Sequence, residues 1–294
     1  MVRLANPDLT GHFVELIRRT SVLLPEDVVR ALERARETEP VGSSAVGALD
    51  TILKNVEMAR ELDSPVCQDT GTPIFDIFMP VGYSLREFED QILSALRIAT
   101  QNSYLRPNAV DSVTGKNSGD NTGKGFPTVH FHEWTDSTIR VELTLKGGGS
   151  ENVGAQYKLP DKSLNADRDL KGVRNVVLDA IYKAQGQGCS PGIIGVAIGG
   201  DRGSGFVESK RQLFRRLGDV NPDPALAALE QEIMEKANAL DIGPMGFGGN
   251  TTVLGVKVGA QHRLPACFFV SVSYMCWACR RRSMEWRNGE VVHD

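Results

Sequence analysis

The sequence predicts an α+β fold: a mixed β-sheet flanked by helices, with a helical N-terminal part, forming one domain over residues 1–294. Three observations carry that expectation. Apolar side chains recur at helical spacing through about the first hundred residues. Later, "IIGVAIGG" is apolar throughout, as a strand covered on both faces must be. Helical and strand segments mix without a regular βαβ rhythm, which speaks against a doubly wound parallel sheet.

The elements follow in order. "LPEDVVRALERARE", "SSAVGALDTILKNVEMAREL" and "LREFEDQILSALRIATQ" carry one-sided apolar stripes. In the second, Val46, Leu49, Leu53 and Val56 share a face, and Ser43 or Ser44 can cap the start. "CQDTG" stands at the mouth of a strand beginning with "TPIF". Between Val110 and Lys124 the chain is rich in glycine, asparagine and serine, a long loop of turn formers. Two strands follow, "TVHFHEW" and "TIRVELTL", with Asp136 and Ser137 for the turn. After "KGGGSEN" come a helix over Leu170–Gln185, the loop "GQGCSPG" and the strand "IIGVAI". Helices are then expected over Glu208–Leu217 and Pro224–Leu240. "IGPMGFGGN" is another glycine loop, leading into the strands "TTVLGVKV" and "FFVSVSY". The end, "EWRNGEVV", reads as a hairpin on an Asn-Gly turn.

Bulk properties narrow the function. The 294 residues are 41% hydrophobic and 24% charged, a globular composition. A net charge of −4 provides no electrostatic case for nucleic acid. Arg280, Arg281 and Arg282 form one local basic run, read as a solvated or carboxylate-facing patch. No window reaches the length of a membrane span, and "MVRLANPDLTGHF" has no leader-like apolar stretch, so the expected location is cytoplasmic. Five cysteines, an odd number, do not suggest a disulfide framework.

Several motifs could carry chemistry. "GGDRGSG" invites a nucleotide, but it lacks the dinucleotide spacing, and Phe206 and Val207 stand where a phosphate loop needs Lys and Ser/Thr. A tight turn is the simpler reading. His130 and His132 share one face of a strand, which suits a metal or a polar outer face. Cys276 and Cys279 form a C-x-x-C pair, yet the remaining cysteines lie at no zinc-finger spacing and no thioredoxin-like context surrounds them. A further option is a cluster assembled from separate loops. Cys67 and Cys189 precede strands and Cys276 follows one, so all three stand at strand ends. Three thiolates leave one corner of a 4Fe–4S cluster free, and the open iron could act as a Lewis acid.

Local sequence adds what spacing cannot. "CQDTGTPIF", "LRPNAVDSVTGKNSGDNTG", "KGGGSEN", "GCSPGIIGVAIGG", "IGPMGFGGNTTVLGVKV" and "CWACRRR" together resemble, in order, the landmarks of the class I iron–sulfur fumarate hydratases. More closely, the chain is similar to the alpha subunit of the two-subunit form, shared with tartrate dehydratases. The resemblance runs from about Leu23 to Arg282.

It implies a hydro-lyase that reversibly hydrates fumarate to (S)-malate, a tricarboxylic acid cycle reaction. It implies that Cys67, Cys189 and Cys276 hold a 4Fe–4S cluster, with Asp69 as general base. Gln68, Arg106 and Gly149 would bind substrate, with Lys146 and Asn152 near enough to support them. A base next to a cluster ligand in the chain is held in register with substrate by covalent adjacency. Cys279 stands where relatives commonly have another residue, and Cys267 lies outside the pattern. Relatives often carry a histidine twelve positions before the third ligand; Leu264 stands there, and His262 is two residues off. The relatives' remaining carboxylate-binding cations and proposed general acid belong to a second domain. A separate beta subunit, in an assembly such as α2β2, is therefore expected. Tartrate or mesaconate-type substrates are close alternatives, "KGGGSEN" tilting the choice to fumarate. A non-catalytic iron–sulfur or zinc-binding module is the alternative from another class.

Overall fold

The structure is a computed structural model and describes residues 4–294; the first three residues of the stretch scanned for a leader lie outside them. In chain order, helices α1 (Thr10–Val22), α2 (Glu26–Thr38) and α3 (Ser44–Glu61) precede strand β1 (Thr72–Met79) and helix α4 (Leu85–Gln101). Strands β2 (Thr128–Glu133) and β3 (Ile139–Lys146), the short helix α5 (Gly148–Asn152), strand β4 (Ala155–Lys158) and helix α6 (Leu170–Ala184) come next. Strand β5 (Gly192–Ile198) and helices α7 (Arg202–Gln212) and α8 (Pro224–Asn238) follow. Four strands close the chain: β6 (Val253–Ala260), β7 (Phe269–Met275), β8 (Arg280–Arg287) and β9 (Glu290–His293).

These elements group into two compact units. The first comprises residues up to Pro25, Asn55–Gly147 and Arg280–Asp294; the second comprises Glu26–Lys54 and Gly148–Cys279. Most of the second unit is thus an insertion between β3 and β8. Of the four crossings, one precedes α2, one lies inside α3, and the other two fall inside "KGGGSEN" and "CWACRRR".

The first unit holds a five-stranded sheet in the order β2-β1-β3-β8-β9. Only β1 and β2 run parallel in it. Phe75, Ile77, Val141 and Leu143 from the sheet pack with Phe13, Leu16 and Ile17 of α1 and with Phe88, Ile92 and Leu96 of α4. Ser84 caps α4 by accepting from the Glu87 N–H. The closing hairpin turns at Asn288 and Gly289, both at positive φ, as an Asn-Gly two-residue turn requires.

The second unit holds a four-stranded sheet in the order β4-β7-β5-β6, with β5 and β6 parallel. β5 is buried along its whole length, as its uniform apolar character predicts. Its core joins Ile194, Val196, Val256, Val258, Val270 and Val272 to Val173, Val176 and Ile181 of α6 and to Leu229 and Ile233 of α8. Asp169 and Asp223 cap α6 and α8, and Pro224 supplies the first helical position of α8.

The α+β class holds, with the mixed pairing divided over two sheets. Three local details differ from the sequence reading. On α3 the fully buried line is Ala45, Leu49, Ile52 and Ala59, while Val46, Leu53 and Val56 are half-buried beside it. Alanines bury without the bulk that a periodicity reading follows. The helix expected over Glu208–Leu217 begins earlier, at Arg202, because Asp201 accepts from the Gly203 and Ser204 N–H groups. Gly205 lets α7 approach β7, since a Cβ there would lie 2.6 Å from Ser271 Oγ. Strand β4 is new: its four residues are too few for a pattern, and it forms by pairing with β7.

Candidate functional site

In the first unit, β1 begins directly after "CQDTG", and that segment is drawn in by Thr70, which is fully buried. Thr70 Oγ1 accepts from the Arg106 backbone N–H at 3.1 Å and from Asn108 Nδ2 at 3.0 Å. Asn121, only 2% exposed, completes the knot. Its Nδ2 donates to the Arg106 carbonyl at 2.7 Å and to Thr100 Oγ1 at 2.9 Å, while its Oδ1 accepts from the Asn108 N–H. The polar loop expected between Val110 and Lys124 therefore has one buried anchor that ties "DNTG" and "LRPN" to "CQDTG".

Gly71 sets the turn into β1. Its φ is +80°, and a Cβ there would stand 2.9 Å from the backbone of Leu145 and Lys146. The Gly71 N–H donates to Asp69 Oδ1 at 3.0 Å. The other carboxylate oxygen, Oδ2, lies over Gly147, where a Cβ would approach it to 3.1 Å. Arg280, 1% exposed, donates from Nη1 to the Asp69 carbonyl at 2.6 Å. Its Nη2 would lie 3.4 Å from the same added Cβ. One backbone donor, one bare glycine and one buried guanidinium thus fix Asp69, beside a half-buried Cys67 and an exposed Gln68. Arg106 is exposed, with Nη1 3.4 Å from the Gln68 carbonyl. Its planar fork is open to a carboxylate.

In the second unit the loop before β5 holds Cys189 in the left-handed region, at φ 53° and ψ 63°. Trp277 N–H donates to the Cys189 carbonyl at 3.2 Å, bringing "GCSPG" and "MCWAC" together. Ser190 anchors the third motif: its Oγ donates to the Gly243 carbonyl at 2.6 Å and its carbonyl accepts from Met245 N–H at 2.8 Å. Tyr274 lies against this loop, where a Cβ on Gly188 or Gly192 would stand within 2.5 Å of its ring. Burial pushes the Tyr274 hydroxyl up in pKa, and the charges of Cys276 and Cys189 push it further. Cys276 is buried and Cys189 half-exposed. Gly149, exposed at the start of α5, stands by Gln187: a Cβ there would be 3.7 Å from its carbonyl oxygen.

Other candidates resolve as structure. His132 Nε2 is 2.7 Å from Asp76 Oδ1, and its ring stacks on Phe78 at 4.6 Å. Gly199 and Gly200 form the tight turn, at φ +89° and +64°. The carboxylate of Asp201 fills the helix N-terminus that a phosphate would need, and the Ser204 N–H holds that carboxyl below its ordinary pKa. Cys279 is fully buried, Cys267 and exposed Leu264 lie in unit two, and His262 is exposed. Among the described residues no helix is long and apolar enough to cross a membrane. No group of three or more His, Cys, Asp or Glu among them stands ready to hold a metal ion.

Thr70, Asn108, Asn121 and Tyr274 were not singled out from sequence, and Arg280 was read only as part of a basic run. Their signal was present only as position within or beside the ordered motifs.

The sequence model of the family described as fumarate hydratase (Fumerase) matches residues 10–285. A "Putative fumarate hydratase class I" of Geobacillus stearothermophilus is 52% identical over 283 residues, covering 95% of this chain and 55% of that protein. A "Putative L(+)-tartrate dehydratase subunit alpha" of Methanocaldococcus jannaschii is 36% identical over 275 residues, covering 91% of this chain and 94% of that protein. The "L(+)-tartrate dehydratase subunit alpha" of Escherichia coli K12 is 32% identical over 283 residues, covering 94% and 89%. The chain therefore spans little more than half of the first relative and most of the other two.

Proposed function

The chain belongs to the fumarate hydratase (Fumerase) family, and on that premise we propose that it is the cluster-bearing alpha part of a hydro-lyase that reversibly hydrates fumarate to (S)-malate. The observation that carries this reading is the set of contacts fixing Asp69 in the first unit, immediately beside Cys67 in the chain.

A 4Fe–4S cluster suits the thiol set. Cys67, Cys189 and Cys276 are soft ligands and one short of a full set. Tyr274 lies against the loop that carries Cys189 and two residues before Cys276, and its buried hydroxyl has no hydrogen-bond partner among the described residues. When bound, such a cluster offers one iron without a thiolate, a Lewis acid for a substrate hydroxyl and carboxylate.

The chain's own residues then divide the work. In the dehydration direction Asp69 takes the proton from the carbon next to a carboxylate, and it returns that proton in hydration. The Gly71 N–H holds Oδ1 and so sets the orientation of the carboxylate for this transfer. Arg106 pairs bidentately with a substrate carboxylate. Gln68 donates from its exposed amide, and Gly149 presents a backbone N–H that no side chain obstructs.

Tartrate is the second reading, since two relatives carry that name. The higher identity to the class I fumarate hydratase relative favours fumarate. The alpha-subunit names support a beta subunit that completes the site, in an assembly such as α2β2, and a cytoplasmic location fits an oxygen-sensitive cluster.

The test begins with iron, zinc and acid-labile sulfide after anaerobic reconstitution of wild type and Cys67→Ala, followed by rates on fumarate, L-tartrate and mesaconate with the beta subunit co-produced. About four irons with matching sulfide, lost in the variant, and fastest turnover of fumarate are expected. Zinc without sulfide, or iron indifferent to Cys67, would overturn the cluster. Faster turnover of tartrate would transfer the assignment to that acid.

A further inference from the structure

Tyr274 sits on β7 at 2% exposure, and its Oη is buried without a hydrogen-bond partner among the described residues. Buried tyrosine hydroxyls normally find a partner, because an unmade bond in a low-dielectric interior is costly. The ring belongs to the core of the second unit, yet its hydroxyl is left over. It lies across the loop carrying Cys189, and the glycines at both ends of that loop segment admit it. A Cβ on Gly188 would stand 2.5 Å from the ring edge, and one on Gly192 would stand 2.5 Å from Oη itself. Cys276 follows two residues later in the chain, and Cys189 directly follows Gly188, against which the ring packs.

We propose that Tyr274 is a positioning residue whose hydroxyl donates a hydrogen bond to a sulfur, sulfide or thiolate, of the iron–sulfur group held by Cys189 and Cys276. This rests on the cluster proposed above. The buried hydroxyl without a partner lies against the loop that carries Cys189, two residues before Cys276. A hydrogen bond to a cluster sulfur favours the reduced, more negative state, so Tyr274 raises the reduction potential.

The experiment compares anaerobically reconstituted wild type with Tyr274→Phe, which keeps the ring between Gly188 and Gly192. Iron and sulfide content, the reduction midpoint, and the Fe–S stretching bands in H2O and D2O are measured. The variant is expected to load the same iron and sulfide, to show a more negative midpoint, and to lose part of the H/D shift in the Fe–S bands. An unchanged midpoint and an unchanged isotope shift would overturn the hydrogen bond while leaving the cluster intact. A wild-type chain that binds no iron and sulfide would overturn the cluster itself. Should the variant misfold, replacing the five tyrosines with 3-fluorotyrosine provides a second arm, since the more acidic hydroxyl donates more strongly. The midpoint then moves in the positive direction, and no movement would reject the proposal.

Discussion

Arg280 Nη1 lies 2.6 Å from the backbone carbonyl oxygen of Asp69, joining residues 211 positions apart. Both belong to the first unit, and Arg280 is 1% exposed. A buried cation thus fixes the backbone of the candidate base. The run Arg280–Arg282, read from sequence as a solvated or carboxylate-facing patch, is not solvated at its first two members: Arg280 and Arg281 are both buried.

Arg280→Lys is expected to destabilise the protein by about 1.5–3 kcal/mol, the usual weight of a hydrogen bond to a charged group. The ammonium cannot reproduce the planar reach of the guanidinium. Chemical denaturation checks this; an unchanged midpoint and slope would mean that the bond contributes nothing.

Asp69→Asn preserves shape, and its amide oxygen can still accept from the Gly71 N–H. With the beta subunit present, kcat should fall by about 100- to 10,000-fold, the usual weight of a general base. Iron and sulfide content should not change. Near-wild-type turnover would remove Asp69 from the role.

Arg106→Lys should act on binding more than on chemistry. Losing the bidentate fork is expected to raise KM about tenfold with kcat nearly constant, since charge is kept and geometry is lost. A fall in kcat at constant KM would place Arg106 in the transition state instead.

Gly71→Ala combines a positive φ with a 2.9 Å approach to backbone that has no soft end to yield. A cost of about 2–4 kcal/mol is expected from the two effects together. Thermal unfolding measures it, and a loss below about 0.5 kcal/mol would show that the turn relaxes.

Asp219 provides a pH test away from the site. Burial raises its carboxyl pKa, but Arg215 and Lys257 outweigh that and leave it lowered. Lys257 is nearly buried and donates to Asp219 Oδ1 at 2.7 Å and to the carbonyls of Leu217 and Asp219. A lowered folded pKa means that the stabilisation is complete above the unfolded carboxylate range, about 3.9, and is lost as pH falls through the folded value. Asp219→Asn should therefore lower Tm at neutral pH, with the gap to wild type closing below about pH 4. A gap constant with pH would assign the effect to packing.

Much of the fold was readable because it follows from local rules. Uniform apolar character marked β5, the Asn288-Gly289 pair marked the last hairpin, and one-sided stripes marked α2 and α4. The start of α7 was missed because glycines in "RGSG" resemble a loop, and only contact with β7 explains Gly205. The division into two units was not legible either. Two of its four crossings, after Gly147 and after Cys279, lie inside motifs, and a third, after Lys54, lies inside α3.

The sequence by itself determined the types and order of the candidate site residues: the cysteines, Asp69, Arg106 and the glycine-bearing motifs, since residue chemistry and motif order are written along the chain. Only the tertiary structure decided what holds them. Thr70 serves Arg106 and Asn108, Arg280 reaches Asp69, and Tyr274 lies across the Cys189 loop, because burial and hydrogen-bond partnership are relations between distant segments. A single residue's identity does not specify its partner; the packing of the chain around it does.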